Sequence, residues 1–235
     1  MRLNKFISET GVCSRREADA WIAAGRVTVN GKPAALGTQV AAGDAVRLDG
    51  KPLSPKRRDV YLLLNKPRGV TCTTERHVAG NIVDFIAHAE RIFPIGRLDK
   101  DSEGLILLTN NGDIVNEILR VEHGHEKEYL VTVERPVTPT FLAMMAAGVK
   151  IGGEKTKPCV VTQTAPDTFR IVLTQGLNRQ IRRMCSALGF RVQRLQRVRI
   201  MHIRLGALAS GHWRDLTDAE VRPLLAAKAA RSASR

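Results

Sequence analysis

Hydrophobic positions change their spacing along the chain, and the changes mark the elements. Leu3, Phe6 and Ile7 recur at i, i+3, i+4, which predicts an amphipathic helix that stops at Gly11. Ser14-Arg15-Arg16-Glu17 has the spacing of a capping box, and Ala18, Trp21 and Ile22 give a second helix its apolar stripe before Gly25. The period then drops to two. Val27 and Val29 alternate as a strand into Asn30-Gly31, a hairpin signal, and Val46 and Leu48 form a strand after the Gly43-Asp44 turn. Residues 51–59, KPLSPKRRD, break both patterns with prolines and cations and read as a basic linker.

A second domain opens with the buried strand DVYLLLN at residues 59–65, followed by a turn at Lys66-Pro67-Arg68-Gly69. Ile82, Phe85, Ile86 and Ala89 describe a short helix. Leu105 to Thr109 is an apolar run between Gly104 and Asn110-Asn111-Gly112, hence a buried strand closed by a turn. Asp113 can cap a helix carrying Ile114, Val115, Ile118 and Leu119. Lys127, Tyr129 and Val131 alternate along a strand, Thr138-Pro139 opens a helix through Phe141 and Met145, and 149–168 is β-rich. Phe169–Thr174 is a strand, after which Gln175–Met184 turns into a helix with Ile181, Met184 and Leu188 inward. A second capping box, Thr217-Asp218-Ala219-Glu220, starts a final helix over Val221, Leu224 and Leu225, and residues 227–235 read as a flexible basic tail. The fold class is α+β, with a small domain at 1–50, a linker at 51–59 and a larger domain at 60–226.

Charge narrows the partner. A formal net charge of +14 over 235 residues implies a polyanion, nucleic acid before membrane. Aromatic residues make up 4%, too few for a long stacking platform along a single strand, so a structured RNA gripped through its phosphates is expected. Between Gly176 and Arg204 there are eight arginines and no acidic residue, which suggests a basic wall with Arg183, Arg191, Arg194, Arg197 and Arg199 as RNA contacts. No apolar run approaches the roughly 18 residues of a spanning helix, and no signal-peptide h-region is visible. Four scattered cysteines without a C-x-x-C pair fit a reducing compartment, so a cytoplasmic location is expected, and the chain is expected to be a monomer.

The candidate chemistry lies in Gly96-Arg97-Leu98-Asp99-Lys100-Asp101-Ser102-Glu103-Gly104. Arg97 and Lys100 flank Asp99 and favour its carboxylate form, which suits a nucleophile or base. A solvated surface loop satisfies the same spacing. The run His123-Gly124-His125-Glu126-Lys127-Glu128 invites a metal, but no further His or Cys cluster supplies ligands, so no metal is expected.

The whole stretch, G-R-L-D-x-x-x-x-G-L-x-x-L-T-N, resembles the active-site signature of the RsuA/RluB/RluE/RluF family of ribosomal RNA pseudouridine synthases. Further matches are K-P-x-G at Lys66–Gly69, K-x-Y-x-V at Lys127–Val131, and G-x-x-x-Q-[IV]-[RK]-R-M at Gly176–Met184. Trp213–Thr217 matches the closing segment, and the wording is nearest to the RluF-type branch acting on large-subunit rRNA. Asn111, where the family more often has Asp, is a turn residue outside the chemistry. At the N-terminus, R-L-N-K-F-I, S-R-R-E-A, G-R-V-x-V-N-G and G-D-x-V resemble an S4 RNA-binding domain.

The resemblance implies an isomerase that breaks the N1–C1′ bond of a uridine, turns the base and rejoins it through C5, without metal or cofactor. It implies a catalytic domain on a largely antiparallel mixed sheet with a cleft across it. In the family the motif aspartate attacks or otherwise activates the sugar, and here it falls on Asp99. Tyr129 would stack under a flipped uracil near its C5 proton, although an interior strand tyrosine remains the alternative. Arg182 corresponds to the basic residue that pairs with the aspartate, a task a planar guanidinium can perform through two hydrogen bonds. Lys66 shapes a loop. Arg97, Lys127, Arg179 and Arg183 are assigned to substrate RNA, and Arg2, Lys5, Arg15, Arg16, Arg26 and Lys32 to phosphates on the S4-like module. The implied substrate is 23S ribosomal RNA, with tRNA left open as a second. Two rivals remain: an RNA-binding or ribosome-assembly factor, and a metal-independent glycosidase using Asp99 with Asp101 or Glu103.

Overall fold

In the computed structural model, which describes residues 1–54, 58–75, 77–119 and 124–232, the first capping box closes in both directions. Ser14 Oγ accepts from the Glu17 N–H at 3.2 Å, and Glu17 Oε2 accepts from the Ser14 N–H at 2.6 Å. These bonds satisfy two amides that a helix start leaves without partners. They begin α2 (Arg15–Ala23), which packs against α1 (Leu3–Glu9). Four short strands follow: β1 (Val27–Val29), β2 (Lys32–Pro33), β3 (Val46–Leu48) and β4 (Lys51–Pro52), in the order β2-β1-β3-β4. Asn30 and Gly31 have φ of 51° and 79°, the positive pair that a two-residue hairpin turn requires. Leu3, Ile7, Ala18, Ile22, Val27 and Val46 form the core here. Lys51-Pro52, expected in the linker, instead extends this sheet by pairing with Arg47 and Leu48. Linker residues 55–57 lie outside the described residues.

The chain divides into two units. One comprises Met1–Val60, His88–Ile92 and Thr109–Gly112; the other comprises Tyr61–Ala87, Phe93–Leu108 and Asp113–Arg235. The second begins with β5 (Tyr61–Lys66), buried at every position, then α3 (Ile82–Ile86), β6 (Phe93–Ile95), β7 (Glu103–Thr109) and α4 (Gly112–Leu119). Helix α3 stops before Ala89 because Ala87 turns left-handed, with φ 50°. Asp113 lies inside the first turn of α4 rather than capping it. Next come β8 (Lys127–Val133), α5 (Pro139–Ala146), the hairpin β9 (Lys150–Ile151) and β10 (Glu154–Lys155), β11 (Val160–Ala165), β12 (Thr168–Leu173) and α6 (Gln180–Ala187). The chain ends with β13 (Val192–Ile200), β14 (Ile203–Arg204), β15 (Trp213–Asp215) and α7 (Asp218–Ser232). Helix α7 continues through residues 227–232, which the sequence pattern alone assigned to a flexible tail.

Among the described residues the main sheet runs β11-β12-β8-β13-β7-β5-β15, with β14 on β13 and β6 on β7. β11–β12, β12–β8, β8–β13, β13–β14 and β15–β5 pair antiparallel and β13–β7 pairs parallel, so the sheet is mixed and largely antiparallel, as expected. The parallel contact sets Gly104 opposite Arg197. A Cβ on Gly104 would collide with Arg197 O and lie 2.8 Å from Arg197 N, and its φ of +99° independently favours glycine. One apolar cluster gathers Val131, Phe141, Phe169, Met184 and Phe190; another gathers Leu63, Leu105, Leu107, Ile114 and Ile203.

Candidate active site

Asp99 stands in the loop between β6 and β7, and the loop is fixed before it reaches the acid. Leu98 is buried and its N–H donates to Cys72 Sγ at 3.4 Å. The Ser102 N–H donates to Asp99 O at 3.0 Å, closing a tight turn. Lys66 is fully buried, and its ammonium donates to Pro67 O and Val70 O at 2.9 Å and to Lys100 O at 3.4 Å. The Gly69 N–H reaches the same Lys100 oxygen at 2.8 Å. Burial lowers the Lys66 pKa from its ordinary value, while the backbone carbonyls satisfy its protons. The K-P-x-G turn therefore buttresses the Asp99 loop.

The acid opens onto a cleft of about 480 Å³ whose lining includes Arg97, Asp99, Lys127, Tyr129, Arg179 and Arg197. The Asp99 carboxylate is paired with Arg179, Nη1 to Oδ2 at 3.6 Å, not with Arg182 as expected. Arg182 instead donates through Nη2 to Asp101 O at 3.1 Å and Ser102 Oγ at 3.3 Å, and through Nη1 to Val192 O at 3.4 Å. Arg179, the residue before α6 with φ 48°, lines the cleft, whereas Arg182, nearly one turn further along α6, reaches the Asp101–Ser102 end of the loop. Burial and the neighbouring Arg179 cation lower the Arg182 pKa, against the pull of Asp99 and Asp101.

Tyr129 is half-buried on β8 with its body against the apolar cluster and its ring in the cleft lining. Lys127, two residues earlier, shares that face, and its Nζ donates to His125 O at 3.1 Å. Burial and the Arg197 cation lower the Lys127 pKa. Glu128 points the other way, buried between Arg199 Nε at 2.7 Å and Arg170 Nε at 3.3 Å. That clamp fixes β8 from behind, so Tyr129 is held in one register. Carboxylate, tyrosine and guanidinium thus converge on one cleft, an arrangement suited to work on a flipped nucleobase.

The sequence profile of the RNA pseudouridylate synthase family matches residues 60–187, and that of the S4 domain matches residues 1–46. The chain belongs to the RNA pseudouridylate synthase family. It is 58% identical to the dual-specificity RNA pseudouridine synthase RluF of Salmonella typhi over 94% of this chain and 77% of that protein. The corresponding Escherichia coli (strain K12) protein is 56% identical over the same shares. A crystal structure of a pseudouridylate synthase superposes with a TM-score of 0.70 at 32% identity, covering 95% of this chain and 99% of that one.

In this synthase several arginines of the arginine-rich segment are engaged by acids, although Arg191 and Arg194 stay exposed. Arg191 pairs with Glu134 at 3.3 Å, Arg194 with Glu103 at 2.5 Å, and Arg199 with Glu126 and Glu128 at 2.9 and 2.7 Å. Arg197 is 4% exposed. The acids come from β7, β8 and the segments flanking β8, brought alongside by the sheet. Arg183 is exposed on α6, outside the cleft lining, with its guanidinium against Gly152. On the N-terminal unit Arg2, Arg15, Arg16, Arg26 and Lys32 are exposed, and Lys5 is half-buried 3.4 Å from Glu9. Arg26 is occupied by Asp49 at 2.5 Å and lies over the Trp21 ring. Sequence reasoning assigned no role to Ser102, to Cys72 or to the Gln175–Asn178 lip of the cleft. His123 lies outside the described residues, and no group of three or more His, Cys, Asp or Glu able to hold a metal occurs among those described. No helix among them is long and apolar enough to cross a membrane.

Proposed function

We propose that this chain isomerises uridine to pseudouridine in structured RNA, with 23S ribosomal RNA as the main substrate and tRNA as a second. The observation that carries this is the convergence of Asp99, Arg179 and Tyr129 on one cleft. Asp99 is the nucleophile or sugar-activating carboxylate. Arg179 orients it through the ion pair, and Arg182 fixes the turn behind it. Tyr129 supports the flipped uracil and helps remove the C5 proton. The description of the 58% identical relative as dual-specificity supports a second RNA class. Residues 1–50 supply affinity through phosphate contacts and residues 60–226 the chemistry. The enzyme works as a monomer in the cytoplasm, the compartment being supported by four cysteines that are all free thiols.

The test is a pseudouridine map of rRNA and tRNA from a strain lacking the protein. Signal should vanish at a small number of uridines and return with the parent gene but not with Asp99→Asn. An unchanged map would make the chain an RNA-binding factor built on a synthase scaffold.

A further inference from the structure

The β9–β10 hairpin, to which the sequence pattern gives no role, carries cations that no acid engages. Lys150 on β9 and Lys155 on β10 are direct cross-strand partners, and both are exposed. Ile151 is buried in the core with Met184 of α6, and side chains alternate along a strand, so the two lysines share the outward face. Like charges placed directly opposite in a hairpin are destabilising. Glu154, the acid of this hairpin, pairs across the strands with Ile151 and so belongs to the other face. Arg183 is exposed on α6 with its guanidinium against Gly152 in the turn, and Lys157, just after β10, is exposed as well. None of these four cations has an acidic partner among the described residues, in contrast to Arg191, Arg194 and Arg199.

The cluster is firmly placed and tied to the cleft. Gly152 and Gly153 turn the chain at φ 61° and 93°. At the base of the hairpin the Thr156 N–H donates to Val149 O at 3.1 Å, and the Val149 N–H donates to Thr156 Oγ1 at 3.0 Å. The Lys157 N–H donates to Gln175 Oε1 at 3.1 Å, and Gln175 lines the cleft four residues before Arg179. A structural role accounts for these latches. It leaves the facing lysines unexplained, because their repulsion only weakens the hairpin until an anion lies over them.

We infer that Lys150, Lys155, Lys157 and Arg183 form a phosphate-binding surface of the catalytic unit, which holds the backbone of the substrate RNA next to the cleft. Phosphate contacts carry no sequence information, but they fix register and orientation. A uridine leaves its stack by swinging about its backbone, so phosphates held beside the cleft determine where the base arrives. The surface thereby adds to the affinity supplied by the N-terminal unit.

This inference rests on the proposed function, and its test separates the two. A stem-loop RNA carrying the mapped target uridine is titrated over a series of salt concentrations with three proteins: the native enzyme, the triple variant Lys150→Gln, Lys155→Gln, Lys157→Gln, and the single variant Lys150→Glu. The triple variant should lower the slope of log affinity against log salt by about 2 to 3, each lost phosphate contact being worth about 0.7 to 0.9. Its saturated rate should match that of the native enzyme. Lys150→Glu sets an acid opposite Lys155, so it should raise the melting temperature of the protein while weakening RNA binding. An unchanged salt slope for the triple variant, or native RNA affinity for Lys150→Glu, would overturn the assignment. If the triple variant lacks a cooperative melting transition, Lys155→Gln and Lys157→Gln replace it singly, each with a slope lower by about 0.7 to 0.9. A native enzyme that shows the expected salt response but forms no pseudouridine in this RNA defeats the proposed function and leaves the phosphate surface standing.

Discussion

Arg179 holds the Asp99 carboxylate at 3.6 Å, while Arg182, three residues on, donates to the Asp101 carbonyl at 3.1 Å. The two arginines therefore do different work on one loop. Arg179 and Asp99 are 45% and 30% exposed, so water and salt screen their pair, which is worth about 0–1 kcal/mol. Its value lies in orientation rather than stability. Arg182 is more enclosed, and its loss leaves the Asp101 carbonyl and Ser102 hydroxyl short of a donor. Asp99→Asn should fold, bind RNA within a few-fold of the parent and form no detectable pseudouridine in a single turnover. Arg179→Gln should lower the saturated rate with little change in melting temperature, whereas Arg182→Met should lower both. Parent-like turnover by Asp99→Asn would remove the nucleophile from the proposal.

Tyr129 has a narrower test. Tyr129→Phe keeps the ring against the apolar cluster, so folding and RNA affinity should hold. Loss of the hydroxyl should slow product formation by about 10² to 10⁴, the usual worth of general acid–base help. Near-normal turnover would reduce Tyr129 to a stacking surface.

Binding by the N-terminal unit should respond to salt. Arg15 and Arg16 are exposed on α2, whereas Arg26 is already engaged by Asp49. Each phosphate contact removed should reduce the slope of log affinity against log salt by about 0.7 to 0.9. Arg15→Gln with Arg16→Gln should therefore flatten a binding titration series between low and moderate salt and leave the saturated rate intact. A collapse of saturated rate with unchanged affinity would contradict the division of labour between the domains.

Acid stability should depend on the second capping box. Glu220 accepts from Arg214 Nη1 and Nη2 at 2.7 Å and from the Thr217 N–H at 2.9 Å, and the Arg214 bonds pull its pKa down to about 2. A carboxyl whose folded pKa is depressed contributes stability above its unfolded value, and that contribution fades as pH falls from about 4.5 toward about 2. Arg214→Met should cost about 1–2 kcal/mol at pH 7, the low end for hydrogen bonds to charged groups because Arg214 is 36% exposed and screened by water. It should also flatten the decline of denaturation midpoints through that acid window. A parallel decline in both proteins would exclude the pair as its source.

The sequence alone determined whatever depends on near neighbours. Helix caps at Ser14 and Thr217, the Asn30-Gly31 hairpin and the core strand at β7 are set by residues within a few positions of one another, so spacing reveals them. Motif wording likewise places Asp99, Tyr129 and the Lys66 turn. Tertiary structure decided the partners. Arg194 and Arg199 look like an open basic wall until the sheet sets Glu103 and Glu128 beside them, 91 and 71 residues away in sequence. Arg197 becomes a buried donor only because β7 runs parallel to β13 with a glycine at the contact. Which arginine meets Asp99 is likewise settled in space: Arg179, just before α6, lines the cleft and pairs with it, whereas Arg182 three residues on reaches the Asp101 carbonyl. Charge pairing acts over a few ångströms in space, and a one-dimensional pattern records no distance between strands far apart in the chain.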